Sequence, residues 1–158
     1  KSGKNAYIRT PRKGINFRYG REDEITLGKG IELREGKDVA IIATGIVMVD
    51  EAMKASDILK EKGIYATVVD LHTIRPLDTE LIEKVAARTG KVLVCENGRY
   101  AGGVGEMIAG HLSTVLPTKM AFLNVGERYG EVGNLSYLKE AFGFTADNIV
   151  NKVMGLLA

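Results

Sequence analysis

Tyr65-Ala66-Thr67-Val68-Val69-Asp70-Leu71-His72-Thr73-Ile74-Arg75-Pro76-Leu77-Asp78 passes from one regular element into the next within a few residues. Tyr65 to Leu71 is rich in β-branched and aromatic side chains and reads as a strand. Pro76 restricts Arg75 to extended geometry and sets up a turn. Asp78 is then a good N-cap for a helix whose inner face is Leu81, Ile82, Val85 and Ala86, and Gly90 ends that helix. The stretch is a strand-to-helix unit, and the chain repeats that unit in both directions.

Upstream, Val39-Ala40-Ile41-Ile42-Ala43 is a continuous apolar run, as expected of a strand covered on both faces. Gly45 breaks it. Val49, Ala52, Met53, Ser56 and Leu59 follow at helical spacing, with Asp50, Lys54, Asp57 and Glu61 on the other side and Gly63 as the stop. Downstream, Val92 to Cys95 is a third strand. Gly103 to Leu116 is a third helix, with Val104, Met107, Ile108, Leu112 and Val115 facing inward. Met120 to Val125 is a fourth strand. A short helix around Leu138 to Phe142, stopped by Gly143, precedes a longer one capped by Thr145, whose apolar face is Ile149, Val150, Val153, Met154 and Leu157. Ile31-Glu32-Leu33 alternates in polarity and is placed as a short antiparallel edge strand. Repeated strand-helix-strand order requires right-handed crossovers. The expected fold is therefore α/β: a three-layer sandwich with a mainly parallel sheet of about five strands, one antiparallel edge strand and helices on both faces.

A chain of 158 residues is one domain by size and buries roughly 70% of its unfolded surface. Hydrophobic residues at 45% and charged residues at 27% are both ordinary for a soluble globular domain. No apolar run approaches the ~20 residues of a membrane span, and no signal peptide opens the chain. Cys95, the single cysteine, cannot form an internal disulfide; inside Val92-Leu93-Val94-Cys95 it reads as a buried structural thiol rather than a nucleophile. The cytoplasm is the expected compartment.

The net charge of +2 decides nothing, but Lys1, Lys4, Arg9, Arg12, Lys13, Arg18 and Arg21 all precede the first acid, Glu22. Such a basic arm can bind nucleic acid or a phosphorylated substrate, or form an exposed flexible tail. No nucleic-acid recognition motif accompanies the charge, so nucleic acid is not expected as a partner. The chain opens at Lys1 rather than Met and reads as a piece of something longer.

Loops at the carboxyl ends of parallel strands carry the chemistry of such sheets. His72 follows the strand ending at Leu71; no Asp or Ser stands beside it as partner, so a structural role outweighs that of a general base. Glu96-Asn97-Gly98-Arg99-Tyr100-Ala101-Gly102-Gly103-Val104-Gly105 ends at a helix start, where glycines let N–H groups approach an anion. A dinucleotide fingerprint fails there. Ile108 stands where its third glycine belongs, and Asn124 where an acid belongs. Tight packing of helix on sheet is the better reading, with Glu96 contacting a partner subunit or satisfying nearby backbone. Gly126-Glu127-Arg128-Tyr129-Gly130-Glu131-Val132-Gly133 is a surface loop. His111, between Ile108 and Leu112, is a packed or half-exposed histidine. One cysteine and two distant histidines cannot form a zinc site.

The order of these segments resembles the C-terminal domain of transketolases. The resemblance covers about Lys37 to Leu157 and rests on Gly36-Lys37-Asp38-Val39, His72 to Asp78, Glu96 with Gly102 to Gly105, and Tyr129 to Gly133. Tyr137-Leu138, Phe142-Gly143-Phe144-Thr145-Ala146 and Ile149-Val150 complete it. It implies residues 1–36 as the tail of a preceding domain and a linker, and 37–158 as the C-terminal domain. It also implies a parent enzyme, a transferase, that moves a two-carbon ketol unit between sugar phosphates. Thiamine diphosphate and a divalent cation (Mg or Ca) would sit in other domains, across a homodimer. The segment itself would be inactive alone, hold no catalytic, cofactor or metal residue, and serve domain packing, dimerisation and the substrate entrance. Tyr7-Ile8-Arg9-Thr10-Pro11-Arg12 resembles the segment leaving the preceding domain, which makes Arg12 the candidate for the substrate phosphate. The alternatives are the corresponding domain of a deoxyxylulose-phosphate synthase or of a 2-oxoacid dehydrogenase beta subunit, or a stand-alone small-anion-binding module. An acid after the glycines, as in Gly105-Glu106, departs toward the beta subunit.

Overall fold

The computed structural model describes residues 3, 5–11 and 18–158. Among these residues five strands and five helices follow one another as β1 (Ile31–Arg34), β2 (Val39–Thr44), α1 (Ile46–Glu61), β3 (Ala66–Asp70), α2 (Thr79–Thr89), β4 (Lys91–Glu96), α3 (Val104–Val115), β5 (Lys119–Leu123), α4 (Leu135–Phe142) and α5 (Ala146–Leu157). They form one sheet in the order β1-β3-β2-β4-β5. All neighbours run parallel except β1, which pairs antiparallel with β3 at the edge. The α/β three-layer sandwich expected from the sequence is the observed fold.

Strand parity sorts the core into two layers. Val39, Ile41, Ala43, Val68, Leu93 and Cys95 face α1 and α5, while Ala40, Ile42, Val69, Val92 and Val94 face α2 and α3. Each central strand is apolar on both faces because each face is roofed by helices. The helix boundaries are set locally. Asp78 accepts the N–H of Leu81 at 3.3 Å, Asn134 that of Tyr137 at 2.9 Å, and Thr145 that of Asn148 at 3.3 Å. Gly90 and Gly143 end α2 and α4 in the left-handed conformation, which costs glycine nothing.

Two inward assignments are corrected. Val115 is 52% exposed at the last position of α3. On α5 the buried stripe is Ile149, Val150, Val153 and Leu156, and Met154 is 45% exposed. Contact with α1 rotates that stripe, leaving Leu157 only partly buried against the core.

Candidate functional site at the carboxyl edge of the sheet

From β2 the chain steps to β3 on one side, then crosses to β4 on the other. The winding reverses between β2 and β4, the place where open α/β sheets leave a crevice for ligands. Gly45, which breaks the chain after β2 at φ 83°, opens α1 there with no side-chain cap and no acid in the first turn. Asn97 stands opposite, its Oδ1 3.7 Å from the point where a Gly45 side chain would begin. Arg9, on the basic arm, donates to that same Asn97 oxygen.

A second cluster lies at the end of β3. Asp70 continues the parity of Ala66 and Val68 toward α1 and is 7% exposed. It accepts the Tyr19 hydroxyl at 2.8 Å, and beside it Arg18 pairs with Asp50 of α1 at 2.5 Å. Burial pushes the Asp70 carboxyl above its ordinary value, opposed in part by the Tyr19 bond and by the charges of His72 and Arg18. Burial, with Asp70 alongside, pushes the Tyr19 hydroxyl up as well. The basic arm is thus not wholly a free tail: Arg9 and Arg18 are both engaged. Lys1, Lys4, Arg12 and Lys13 lie outside the described residues, and the substrate-phosphate assignment to Arg12 lies there with them.

His72 is half-buried. Its Nδ1 is 2.9 Å from the Thr73 hydroxyl, and its Nε2 is buried without a partner among the described residues. The Arg75–Pro76 peptide bond that follows is cis. The turn serves the fold: Asp78 accepts the Gly30 N–H at 2.8 Å, tying the strand entering the sheet to the start of α2. His111 bonds Glu83 at 2.8 Å and links α3 to α2, as a half-exposed histidine.

The glycine-rich loop before α3 is satisfied from within the protein. Glu96 continues the parity of Val92 and Val94 and so points beneath α3. Its carboxylate, 4% exposed, accepts the N–H of Val104 at 2.8 Å and of Gly105 at 2.9 Å. Gly102 donates to Glu106 at 2.6 Å and Gly103 to the Tyr100 carbonyl at 3.2 Å. A negative charge at a helix N-terminus is where the helix dipole favours it, so Glu96 occupies the place an anionic ligand would take. Of the two roles read for Glu96, this is the satisfaction of nearby backbone. The glycines also serve close packing. A Cβ on Gly103 would stand 2.3 Å from the Arg99 carbonyl, and one on Gly105 2.6 Å from the Phe122 ring.

The loop from Gly126 to Gly133 lies on the surface and is pinned to α4. Arg128 donates to the Ala141 carbonyl at 2.7 Å and lies 4.7 Å over the Phe142 ring, and Tyr137 donates to Glu131 at 2.6 Å. A groove of about 360 Å³ beside β5 is lined chiefly by Tyr100, Leu112, Met120 and Phe122. It is apolar and apart from both polar clusters. Cys95 is fully buried, and burial pushes its thiol up, the opposite of what a nucleophile requires. No helix is long and apolar enough to cross a membrane among the described residues.

These residues do not fit a diphosphate with its divalent cation. Among the described residues, the glycine-rich start of α3 is filled by Glu96, and no group of three His, Cys, Asp or Glu side chains would hold a metal. Sequence reasoning missed Asp70 and Tyr19 as a pair; the only signal was an acid at the end of an apolar strand.

Comparison with known proteins gives these observations a family. The model of the "Transketolase, C-terminal domain" family matches residues 28–149. The 6-deoxy-6-sulfo-D-fructose transketolase subunit SqwH of Clostridium sp. (strain MSTE9) is 44% identical over 144 residues, spanning 91% of this chain and 44% of that protein. The 1-deoxy-D-xylulose-5-phosphate synthase of Heliobacterium modesticaldum is 37% identical over 147 residues, 90% of this chain and 22% of that protein. A solved structure described as a split gene transketolase, inactive beta4 tetramer, superposes with a TM-score of 0.86 at 35% identity, covering 92% of this chain and 48% of that one. The chain spans less than half the length of each.

Proposed function

Since the chain belongs to the transketolase C-terminal domain family, we propose that it is the C-terminal domain of a transketolase that transfers a two-carbon ketol unit between sugar phosphates. The single observation that carries this reading is the likeness to a split gene transketolase over 92% of the chain at 35% identity. Thiamine diphosphate and its cation belong, in this reading, to companion domains, on the same polypeptide or on a separate subunit. This chain forms no covalent bond to substrate. It packs against the companion domains, supports a homodimer and shapes the substrate entrance with the carboxyl edge of its sheet. Residues 1–36 lead from the preceding domain, and Arg12 meets the substrate phosphate, since guanidinium binds phosphate through two parallel hydrogen bonds. Separated from its companions the chain is inactive, and the working compartment is the cytoplasm.

A second reading has its own support. The relative at 44% identity is a subunit of a transketolase for 6-deoxy-6-sulfo-D-fructose. Sulfonate and phosphate are both tetrahedral oxyanions, and an arginine at the entrance suits either. The test is an assay of the parent protein, with any companion subunit, in thiamine diphosphate and magnesium. Four substrate pairs run in parallel: a ketose phosphate or a 6-sulfoketose, each with an aldose phosphate; pyruvate with glyceraldehyde phosphate; and a 2-oxoacid with lipoamide. Turnover of the first alone supports the main reading, and of the second the sulfosugar reading. Turnover of either remaining pair moves the chain to that relative. In the active enzyme Arg12→Ala raises KM for the anionic sugar about tenfold, about 1.4 kcal/mol; an unchanged KM removes Arg12 from the site.

A further inference from the structure

Asn97-Gly98 is the only Asn-Gly pair in the chain. The side-chain amide carbon of an asparagine is an electrophile that the next backbone nitrogen can reach by closing a five-membered ring. A side chain on that next residue shields the nitrogen and restricts the backbone; glycine does neither. Here the pair lies just beyond β4, which ends at Glu96, so no strand ladder fixes it. Asn97 is exposed. Among the described residues nothing accepts the Gly98 N–H, although the Gly98 carbonyl takes the Val125 N–H at 2.9 Å.

Packing keeps glycine at 98. A Cβ there would stand 2.9 Å from Oε2 of Glu96, the oxygen that accepts the Val104 N–H. The side chain that would shield the nitrogen is therefore excluded by the carboxylate that fills the start of α3. The surroundings of Asn97 also favour a negative charge in its place. Arg9 donates to its Oδ1, and across from it Gly45 opens α1 with no side-chain cap and no acid in the first turn. A carboxylate at 97 would pair with the guanidinium and face the positive end of the α1 dipole.

We propose that Asn97 is a site of spontaneous deamidation, whose aspartate product sits between Arg9 and the start of α1. The Gly98 nitrogen gives its proton to solvent and bonds to the Asn97 amide carbon. The bond from that carbon to Nδ2 breaks, and ammonia leaves with a proton from water. Water then opens the cyclic imide. Cleavage at the side-chain carbonyl restores the peptide bond and yields aspartate, whereas cleavage at the main-chain carbonyl yields isoaspartate. No oxidant, reductant or enzyme takes part, and neither the chemistry nor its test depends on ketol transfer.

The intact parent protein is incubated at mildly alkaline pH beside a synthetic peptide of residues 92–99, whose conversion sets the duration. Peptide mapping of the protein is expected to show the mass change from amide to acid at Asn97, and Asn97→Gln to abolish it. Isoaspartyl methyltransferase labelling measures the isoaspartate share, which is expected to be smaller in the folded protein than in the peptide. A protein unmodified at Asn97 once the peptide has converted overturns the site. A product ratio equal to the peptide's overturns the placement beside Arg9 and α1. A second measurement needs no incubation: Asn97→Asp is expected to raise Tm by about 1–3 °C, the scale of a charge at a helix terminus. Arg9→Ala in that background reduces the gain. An unchanged or lowered Tm in Asn97→Asp counts against the placement as well.

Discussion

Oε1 of Glu96 lies 2.9 Å from the backbone nitrogen of Gly105, nine positions further along the chain, while its other oxygen takes the N–H of Val104. The glycine-rich loop therefore carries its own anion. Glu96→Ala strips two buried N–H groups of their acceptor, at about 1–3 kcal/mol each before relaxation. Denaturant unfolding will show a loss of about 2–4 kcal/mol, with Glu96→Gln losing less because one acceptor oxygen remains. Millimolar phosphate recovers part of the loss in the alanine variant and leaves the parental protein unchanged. A parental protein that phosphate stabilises at this loop would contradict the arrangement.

The glycines of that loop answer to packing, and the two closest approaches rank the damage. A Cβ at Gly103 meets a fixed backbone carbonyl at 2.3 Å, whereas one at Gly105 meets a ring edge at 2.6 Å that can tilt. Gly103→Ala is expected to cost about 3 kcal/mol and Gly105→Ala about 1–2 kcal/mol, the range of overpacked cores. Thermal melts of the two variants check the order. A reversal would place the constraint on the helix–sheet contact instead of the loop.

How far the sequence carried depended on the range of each interaction. The Asp78 cap, the stop at Gly90 and the two-faced strands follow from spacings of a few residues, and these are in the structure as read. The phase of α5 was harder. Ile149, Val150 and Val153 suit two neighbouring stripes, one ending in Met154 and Leu157 and the other in Leu156. Only the position of α1 decides between them. The bond from Tyr19 to Asp70 joins positions 51 apart and has no periodicity to announce it. Glu96 lay between these cases, its place at a strand end readable and its partners supplied by the turn that brings α3 back over it.

Cys95 offers a check on the core. It is fully buried between the sheet and the α5 face, with its thiol pushed up by desolvation. The thiolate is the reactive form, so the native protein resists thiol reagents and yields one reactive group per chain on unfolding. Labelling at the same rate in native and denatured protein would show an open strand β4. Cys95→Ala leaves only a small void and costs about 1–2 kcal/mol.

Glu51 is expected to contribute to the acid limb of the stability profile. It is 5% exposed on α1 and joins three elements: Lys139 of α4 donates at 2.6 Å, Lys54 at 2.8 Å, and the Ala146 N–H at the start of α5 at 2.9 Å. Burial works against its charge, but the bonds from Lys139, Lys54 and Ala146 outweigh burial and hold the carboxyl below its ordinary 4.5. A carboxyl depressed in the folded state binds fewer protons there than in the unfolded chain. Its contribution is therefore full above about pH 4.5 and is lost as pH falls through the lower folded value. Glu51→Gln flattens that part of the curve and lowers stability at neutral pH, because Lys139 and Lys54 lose their charged partner. Melting temperatures from pH 7 to pH 3 should converge for the two proteins at the acid end. If the gap between them instead stays constant with pH, Glu51 acts by packing and not by its charge.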